Sequence, residues 1–444
     1  MEHESLLGQA GSFPTDVRIL RQVGKSLMVA LQKRRAESQE RKAGAAQGLL
    51  ILAASALPVM GVVLLSPIAQ RLPAAVGTGP GGISLAPFVL TAPALAIAVL
   101  SPVGGYLLDV VGRRICFLSA LLIYAAVGTA PLWLENAYVI VLARFALGAT
   151  EAVILASTIA LIGDYFSGAT RDKWVAYMMA VAALAATLFY IAGGMLGSIS
   201  WRAPFAAYGV SALIFLAAIP IIFEPDPSTR RQKTVVTKEH AANTPRLAWE
   251  MIALFAATFI GSILFYIVPL QLGVFLAERG VESPAQIGLL IAIAGLGNPI
   301  GSFSFRFSRN LSFSTLLGAS SALAGLGLLL AALWKDVPML VSGAFINQLG
   351  CGILCPLTMA ATLRLAPAHR RGTSGGGWST AFFVGQFFSP LAVLPVISLD
   401  TRSNGLLPLA GLNLLFACVS YWLFSRLTSL NAESDGTPCS VELT

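Results

Sequence analysis

Two charged residues of this chain stand where charge is least expected. Arg144 and Glu151 interrupt the apolar run "YVIVLARFALGATEAVILASTIALIGDY", Tyr138 to Tyr165. On a helix their spacing points both the same way, about 10 Å apart along the axis. A carboxyl group at that depth can take up and release a proton in step with a bound molecule. A guanidinium there can hold an anionic group, or the two can form a fixed ion pair bridged by water. A second constellation, "GYLLDVVGRR" from Gly105 to Arg114, closes an earlier apolar stretch. Gly105 and Gly112 allow close helix approach and a tight turn. Asp109 at a hydrocarbon edge requires something to receive it. Asp164 lies about 140° round the helix from Glu151, which places it on a different face from the first pair.

The elements that carry these groups follow from composition. Of 444 residues, 56% are hydrophobic and 11% charged, whereas soluble domains carry about a quarter charged residues. Runs long enough to cross about 30 Å of hydrocarbon are predicted near 47–69, 85–109, 114–133, 137–164, 174–197, 203–223, 248–275, 285–305, 312–334, 337–364, 374–398 and 405–426. Pro58, Pro102, Pro269, Pro299, Pro356 and Pro390 fall inside them and predict kinks, because neighbouring helices can satisfy the freed backbone groups.

The net charge of +8 is distributed by side. With alternating crossings, nearly all Lys and Arg fall on the side of the two termini. Arg71, Arg202, Arg279, Lys335 and Arg402 fall on the other. That asymmetry predicts cytoplasmic termini and contact with anionic lipid, not nucleic acid. Residues 1–46 show no apolar core followed by a cleavage site. Leu20, Val23, Leu27 and Leu31 share a face there, which fits either a helix lying on the membrane or an unstructured tail. The five cysteines lack the further ligands of a zinc site. His3, His240 and His369 all lie in tails or loops, no phosphate-binding loop is present, and catalysis and ATP as fuel are therefore not expected.

A linker-like connection, "EPDPSTRRQKTVVTKEHAANTPR" from Glu224, divides the spans six and six. The expected organisation is a cytoplasmic segment 1–46, a six-helix bundle 47–223, a linker 224–247, a second bundle 248–426 and a tail 427–444. "GYLLDVVGRR" pairs with "GSFSFRFSRN" from Gly301, where Arg309 matches Arg113 and Phe305 replaces Asp109. "LGAT" at 147–150 pairs with "LGCG" at 349–352. Parallel six-helix repeats around a central site are a transporter design.

The loop Gly105–Arg114 resembles the signature loop of the major facilitator superfamily. "RFALG" (Arg144 to Gly148) is similar to the family's second motif, and "GGMLGS…WR" (Gly193 to Arg202) to its span-five motif. Val110 replaces a usual basic residue, Gly194 a usual proline and Ser198 a usual glycine. The resemblance implies an all-α membrane protein of twelve helices in two pseudo-symmetric bundles, with spans one, four, seven and ten around a cavity. It also implies that Asp109 meets the start of span eleven, "SGGG" at Ser374–Gly377, and that Asp164 pairs with Arg113 or Arg114 as part of the gate. Tyr266, Gln271, Asn298, Asn347, Gln348, Trp378 and Gln386 are the expected cavity residues, although amides in such helices often bond across to a neighbour. The expected activity is secondary transport of a small organic molecule by a monomer in the plasma or inner membrane. No cofactor is expected, and a proton gradient would supply the energy. Export is the first reading and uptake of an organic anion held by Arg144 the alternative; a transport-inactive sensor or a membrane enzyme is a third.

Overall fold

The computed structural model describes residues 43–79, 84–225, 245–308, 311–366, 371–399 and 405–435. Helical segments follow one another throughout. They are α1 (Ala45–Val76), α2 (Ala86–Val110), α3 (Arg113–Leu132), α4 (Ala137–Tyr165), α5 (Gly168–Ile199) and α6 (Ala203–Ile221). The second half holds α7 (Pro245–Phe265 and Ile267–Glu278), α8 (Pro284–Phe307), α9 (Phe313–Leu333), α10 (Val337–Leu365), α11 (Arg371–Leu399) and α12 (Leu406–Asp435). Ten are long and apolar enough to cross a membrane, or eleven when α2, bent by 56°, counts as one span. The helix outside that count is α11. Arg309, His3, His240 and His369, the basic face around Leu20 to Leu31 and most of the linker lie outside the described residues.

The two halves repeat one packing scheme. In the first, α2 packs on α4, and α3 on α4 and α6. In the second, α8 packs on α10, and α9 on α10 and α12. Between the bundles run the pairs α1 with α7, α2 with α11, and α5 with α8.

Several boundaries differ from expectation: α1 runs to Val76 and α5 opens at Gly168, against 69 and 174, and three more differ in the second half. α7 opens at Pro245, where a missing N–H is harmless in the first turn. α11 opens at Arg371, so Ser374–Gly377 already lie within the helix. α12 runs to Asp435, past the expected end at 426, because no breaker occurs before Gly436 and Pro438.

The prolines act more strongly than kinks. α1 is interrupted at Ala56, ahead of Pro58, and again at Leu64 and Leu65, ahead of Pro67. α7 breaks at Tyr266 and α8 at Leu296, each three residues before a proline. Pro356 and Pro390 sit inside unbroken helices. A proline deprives the carbonyl four residues earlier of its helical donor, and in lipid no water replaces it. Side chains of neighbouring helices do so here. Val89 O, orphaned by Pro93, accepts from Arg144 Nε at 2.8 Å. Ala98 O, orphaned by Pro102, accepts from Thr380 Oγ1 at 3.0 Å across the bundle interface. Phe265 O (Pro269) accepts from Gln348 Nε2 at 3.3 Å, and Gly352 O (Pro356) from Ser302 Oγ at 2.7 Å.

The bundles are sealed together at the end that carries Arg71. Ser66 Oγ donates to Pro269 O. Arg71 donates to Gly197 O at 3.2 Å and, across the interface, to Glu282 O at 3.4 Å. Gly194 of α5 and Gly288 of α8 bring their backbones together: a Cβ at either would lie 3.0 Å from the other's Cα, and one at Gly194 only 2.4 Å from Pro284 O. At the other end, a Cβ at Gly105 or Gly376 would meet nothing within 4 Å.

If orphaned carbonyls govern this packing, Ser302→Ala lowers stability by about 1 kcal/mol. The loss shrinks in a Pro356→Ala background, where a backbone amide again reaches Gly352 O. Thermal unfolding of the four proteins in detergent measures the coupling.

Candidate functional site

α4 starts at Asn136, whose side chain accepts from Tyr138 N at 2.9 Å, and runs 29 residues without a proline. Its Gly148 lets the α2 backbone approach so closely that a Cβ would lie 2.2 Å from Pro93 O. That contact sets Arg144 beside the carbonyl Pro93 leaves free. Arg144 is 1% exposed. Besides Val89 O, its Nη1 donates to Tyr208 Oη at 2.8 Å and its Nη2 to Gly61 O, while its guanidinium lies 5.5 Å from the Tyr208 ring centre. The guanidinium is thus committed to α1, α2 and α6.

Glu151 reaches the same residue of α1. A Cβ on Gly61 would lie 2.0 Å from Glu151 Oε1. Glu151 is 0% exposed, and among the described residues neither carboxyl oxygen has a hydrogen-bond partner. Ion pairs form between Arg113 and Asp164 and between Arg171 and Asp172, whereas no ion pair joins Arg144 and Glu151. Around them, Tyr124 Oη donates to Leu57 O at 2.8 Å and Tyr208 Oη to Met60 O at 3.4 Å. The interrupted α1 therefore collects donors from α3, α4 and α6 over one turn. Gly61, Tyr124 and Tyr208 escaped the sequence reading, since an apolar helix with a glycine and buried tyrosines carries no pattern that distinguishes it from core.

At the basic end, Arg113 Nε lies 2.7 Å from Asp164 Oδ2. Gly112 adopts φ 106°, the left-handed region open to glycine, and starts α3. The first amides of α3, Arg113 N and Arg114 N, donate to the two carboxyl oxygens of Glu224 at 2.9 and 2.8 Å. An acid on a helix N-terminus is favoured by the partial positive charge there. Arg114 Nη2 donates to Ile219 O at 2.8 Å. Glu224, read as the start of a linker, belongs to this cluster; its signal is an acid directly after a span on the basic side. Asp109 is exposed and has no hydrogen-bond or ion-pair partner among the described residues. The expected contact with Ser374–Gly377 is not made in this conformation, and those residues do not supply the free amides of α11, which begins at Arg371.

Four of the seven expected cavity residues fall into two groups. Asn347, fully buried, donates to Ala324 O on α9 at 3.0 Å, and Gln348 serves the α7 break and Asn347 Oδ1. These two amides point into the second bundle, tying helices together. Tyr266 and Trp378 instead meet on Phe382: Trp378 stacks at 5.2 Å between ring centres, and Tyr266 sits edge-on at 5.7 Å. Trp378 Nε1 donates to Thr358 Oγ1 at 3.0 Å. Gln386 is 0% exposed with both amide atoms unpartnered among the described residues. Gln271 is buried, and Asn298 half-buried at the α8 break. No group of three metal-ligating residues occurs among the described residues.

Arg144→Lys keeps the charge but not the fork that reaches three acceptors. It is expected to lower stability by about 1–3 kcal/mol, because buried carbonyls lose their donors. Thermal unfolding against wild type checks this.

The model of the Major Facilitator Superfamily matches residues 49–390. The chain is 27% identical over 209 residues to the multidrug transporter protein MdtP of Bacillus subtilis (strain 168), covering 42% of this chain and 38% of that protein. It is 24% identical over 308 residues to the quinolone resistance protein NorA of Staphylococcus aureus (strain COL), covering 67% and 77%. Among solved structures, a D-xylose-proton symporter shares the fold with a TM-score of 0.69 at 16% identity, over 84% of this chain and 96% of that one. The chain belongs to the Major Facilitator Superfamily and is a multi-pass membrane transporter, not an enzyme.

Proposed function

We propose that the chain exports a small, partly apolar organic molecule in exchange for protons, by alternating access, as a monomer in the plasma or inner membrane with both termini in the cytoplasm. One observation carries this reading. The two charges deep in α4 are unequal: Arg144 is committed to backbone and tyrosine acceptors, and Glu151 has no hydrogen-bond partner. A lone uncompensated acid suits a group that exchanges its proton. A buried arginine with three of its five N–H donors engaged has few left for an organic anion, which weighs against uptake of that class. The aromatic face of Tyr266, Trp378 and Phe382 favours a planar apolar substrate. The names of MdtP and NorA, a multidrug transporter protein and a quinolone resistance protein, point the same way.

In this reading the basic end opens to the cytoplasm and the conformation described faces inward. Closure brings Asp109 to the N-terminus of α11, an attraction worth about 1–2 kcal/mol when partly buried. That is comparable with the gap between two states of a switching protein. The Arg113–Asp164 pair and the Glu224 cap stay within the first bundle and hold the loop rigid meanwhile.

Two measurements in proteoliposomes test the proposal, with a quinolone as probe. Glu151→Gln is expected to abolish drive by a pH gradient, and a variant still driven by the gradient overturns the assignment. Asp109→Asn is expected to slow turnover by about ten-fold, the equivalent of 1.4 kcal/mol, while leaving probe affinity unchanged. Unaltered turnover removes Asp109 from the gate.

A further inference from the structure

Gly61 touches both deep charges of α4 and belongs to no motif in the chain. Its carbonyl accepts from Arg144 Nη2. Its Cα faces the Glu151 carboxyl so closely that a methyl group there would lie 2.0 Å from Oε1, 2.8 Å from Cδ and 3.0 Å from Oε2. The carboxyl group therefore rests on bare backbone. α1 is interrupted directly afterwards, at Leu64 and Leu65, and Gly61 belongs to the short piece Leu57–Val63 between two breaks.

Among the described residues no side chain around this seat donates a hydrogen bond to the carboxyl group. The titratable groups that face Glu151 are Arg144 on its own helix, whose charge bears on it, and Tyr124 on α3 and Tyr208 on α6, on which Glu151 itself bears. Tyr124 Oη is spent on Leu57 O, Tyr208 Oη on Met60 O, and Arg144 on three other acceptors. α2 faces α4 with Gly104 and Pro93, which bring only carbonyls and carbon. An ionised carboxylate withdrawn from water without a donor is heavily penalised, whereas the uncharged acid forgoes one modest hydrogen bond.

The geometry points to Gly61 as the seat that holds the Glu151 carboxyl in its protonated, occluded form, and so as a positioning residue for proton exchange. Loss of the proton drives the side chain off the glycine toward water. Because the seat lies on a short, twice-broken piece of α1 that also receives Arg144, leaving it changes the packing of α1 against α4. This inference rests on Glu151 being the proton carrier.

Difference infrared spectroscopy of the full-length protein, wild type minus Glu151→Gln, isolates the Glu151 carboxyl band. A carboxylic acid without a hydrogen-bond partner absorbs at higher frequency than a hydrated one. In Gly61→Ala the added methyl displaces the carboxyl group, so the band is expected to shift down or vanish at the same pH. Quinolone transport driven by a pH gradient is expected to fall about ten-fold. An unchanged band with unchanged transport overturns the seat. If Gly61→Ala unfolds, Gly61→Ala/Glu151→Ala is expected to recover the thermal midpoint of Glu151→Ala alone, since the space is then vacant. A double variant as unstable as Gly61→Ala overturns the contact. A Glu151→Gln protein still driven by the gradient would sink the carrier reading itself, whereas a wild-type band in Gly61→Ala sinks the seat alone.

Discussion

A carbonyl group left without a donor inside hydrocarbon is the constraint on which the rest of this structure depends. Prolines create such carbonyls at Val89, Ala98, Phe265 and Gly352, and in each case a side chain of another helix supplies the donor. The prolines thereby decide which helices must pack, and in what register. In the first bundle the donor is an arginine of α4, in the second a glutamine of α10. Both serve a broken first helix of their bundle, since Arg144 reaches Gly61 O in α1 and Gln348 reaches Phe265 O in α7. The halves share this solution although their aligned sequences share little else.

The same requirement explains the sealed end. Helices can cross at backbone contact only where no side chain intervenes, and Gly194 meets Gly288 in that way. A proline at Gly194, the residue usual in the resembled motif, would put its ring into space occupied by Pro284 O and the Gly288 Cα. The departure from the motif and the close crossing are thus one fact. At the other end, Gly105 and Gly376 have open space beside them, and Asp109 is exposed.

Much of the architecture was legible in the sequence because it rests on long-range averages. Apolar run length marks most of the crossings. What spacing could not convey is which neighbour a side chain meets. The seven-residue interval placed Arg144 and Glu151 on one face, yet nothing in it distinguished a cavity from the α1 backbone. Asn347 and Gln348 were equally ambiguous: an amide reads the same whether it faces a substrate or the carbonyl of Ala324. Glu224 was hidden by its flanks, since the residues after it have linker composition while the acid caps α3. The prolines were visible, but not whether each would bend or break its helix: a side chain supplies the lost bond at both Gly352 O and Phe265 O, yet α10 is unbroken and α7 breaks. α1, with prolines at 58, 67 and 73, breaks repeatedly.

The arrangement of Arg144 also bears on how one helix can carry both a cation and an exchangeable acid. A direct ion pair would hold both groups charged, and breaking a buried pair is strongly unfavourable, of the order of 3–5 kcal/mol. Such a pair would tie the acid to one protonation state. Here the guanidinium is held by two carbonyl oxygens and a phenol, and not by the acid. The acid, a helical repeat away and seated on glycine, is left to respond to its surroundings alone. The interrupted α1 contributes to both environments at one residue, the Gly61 carbonyl as one of three acceptors for the base and bare Gly61 backbone for the acid. Straightening α1 would return Gly61 O to its own helix, so the break in the helix frees one of the acceptors that hold the base apart from the acid.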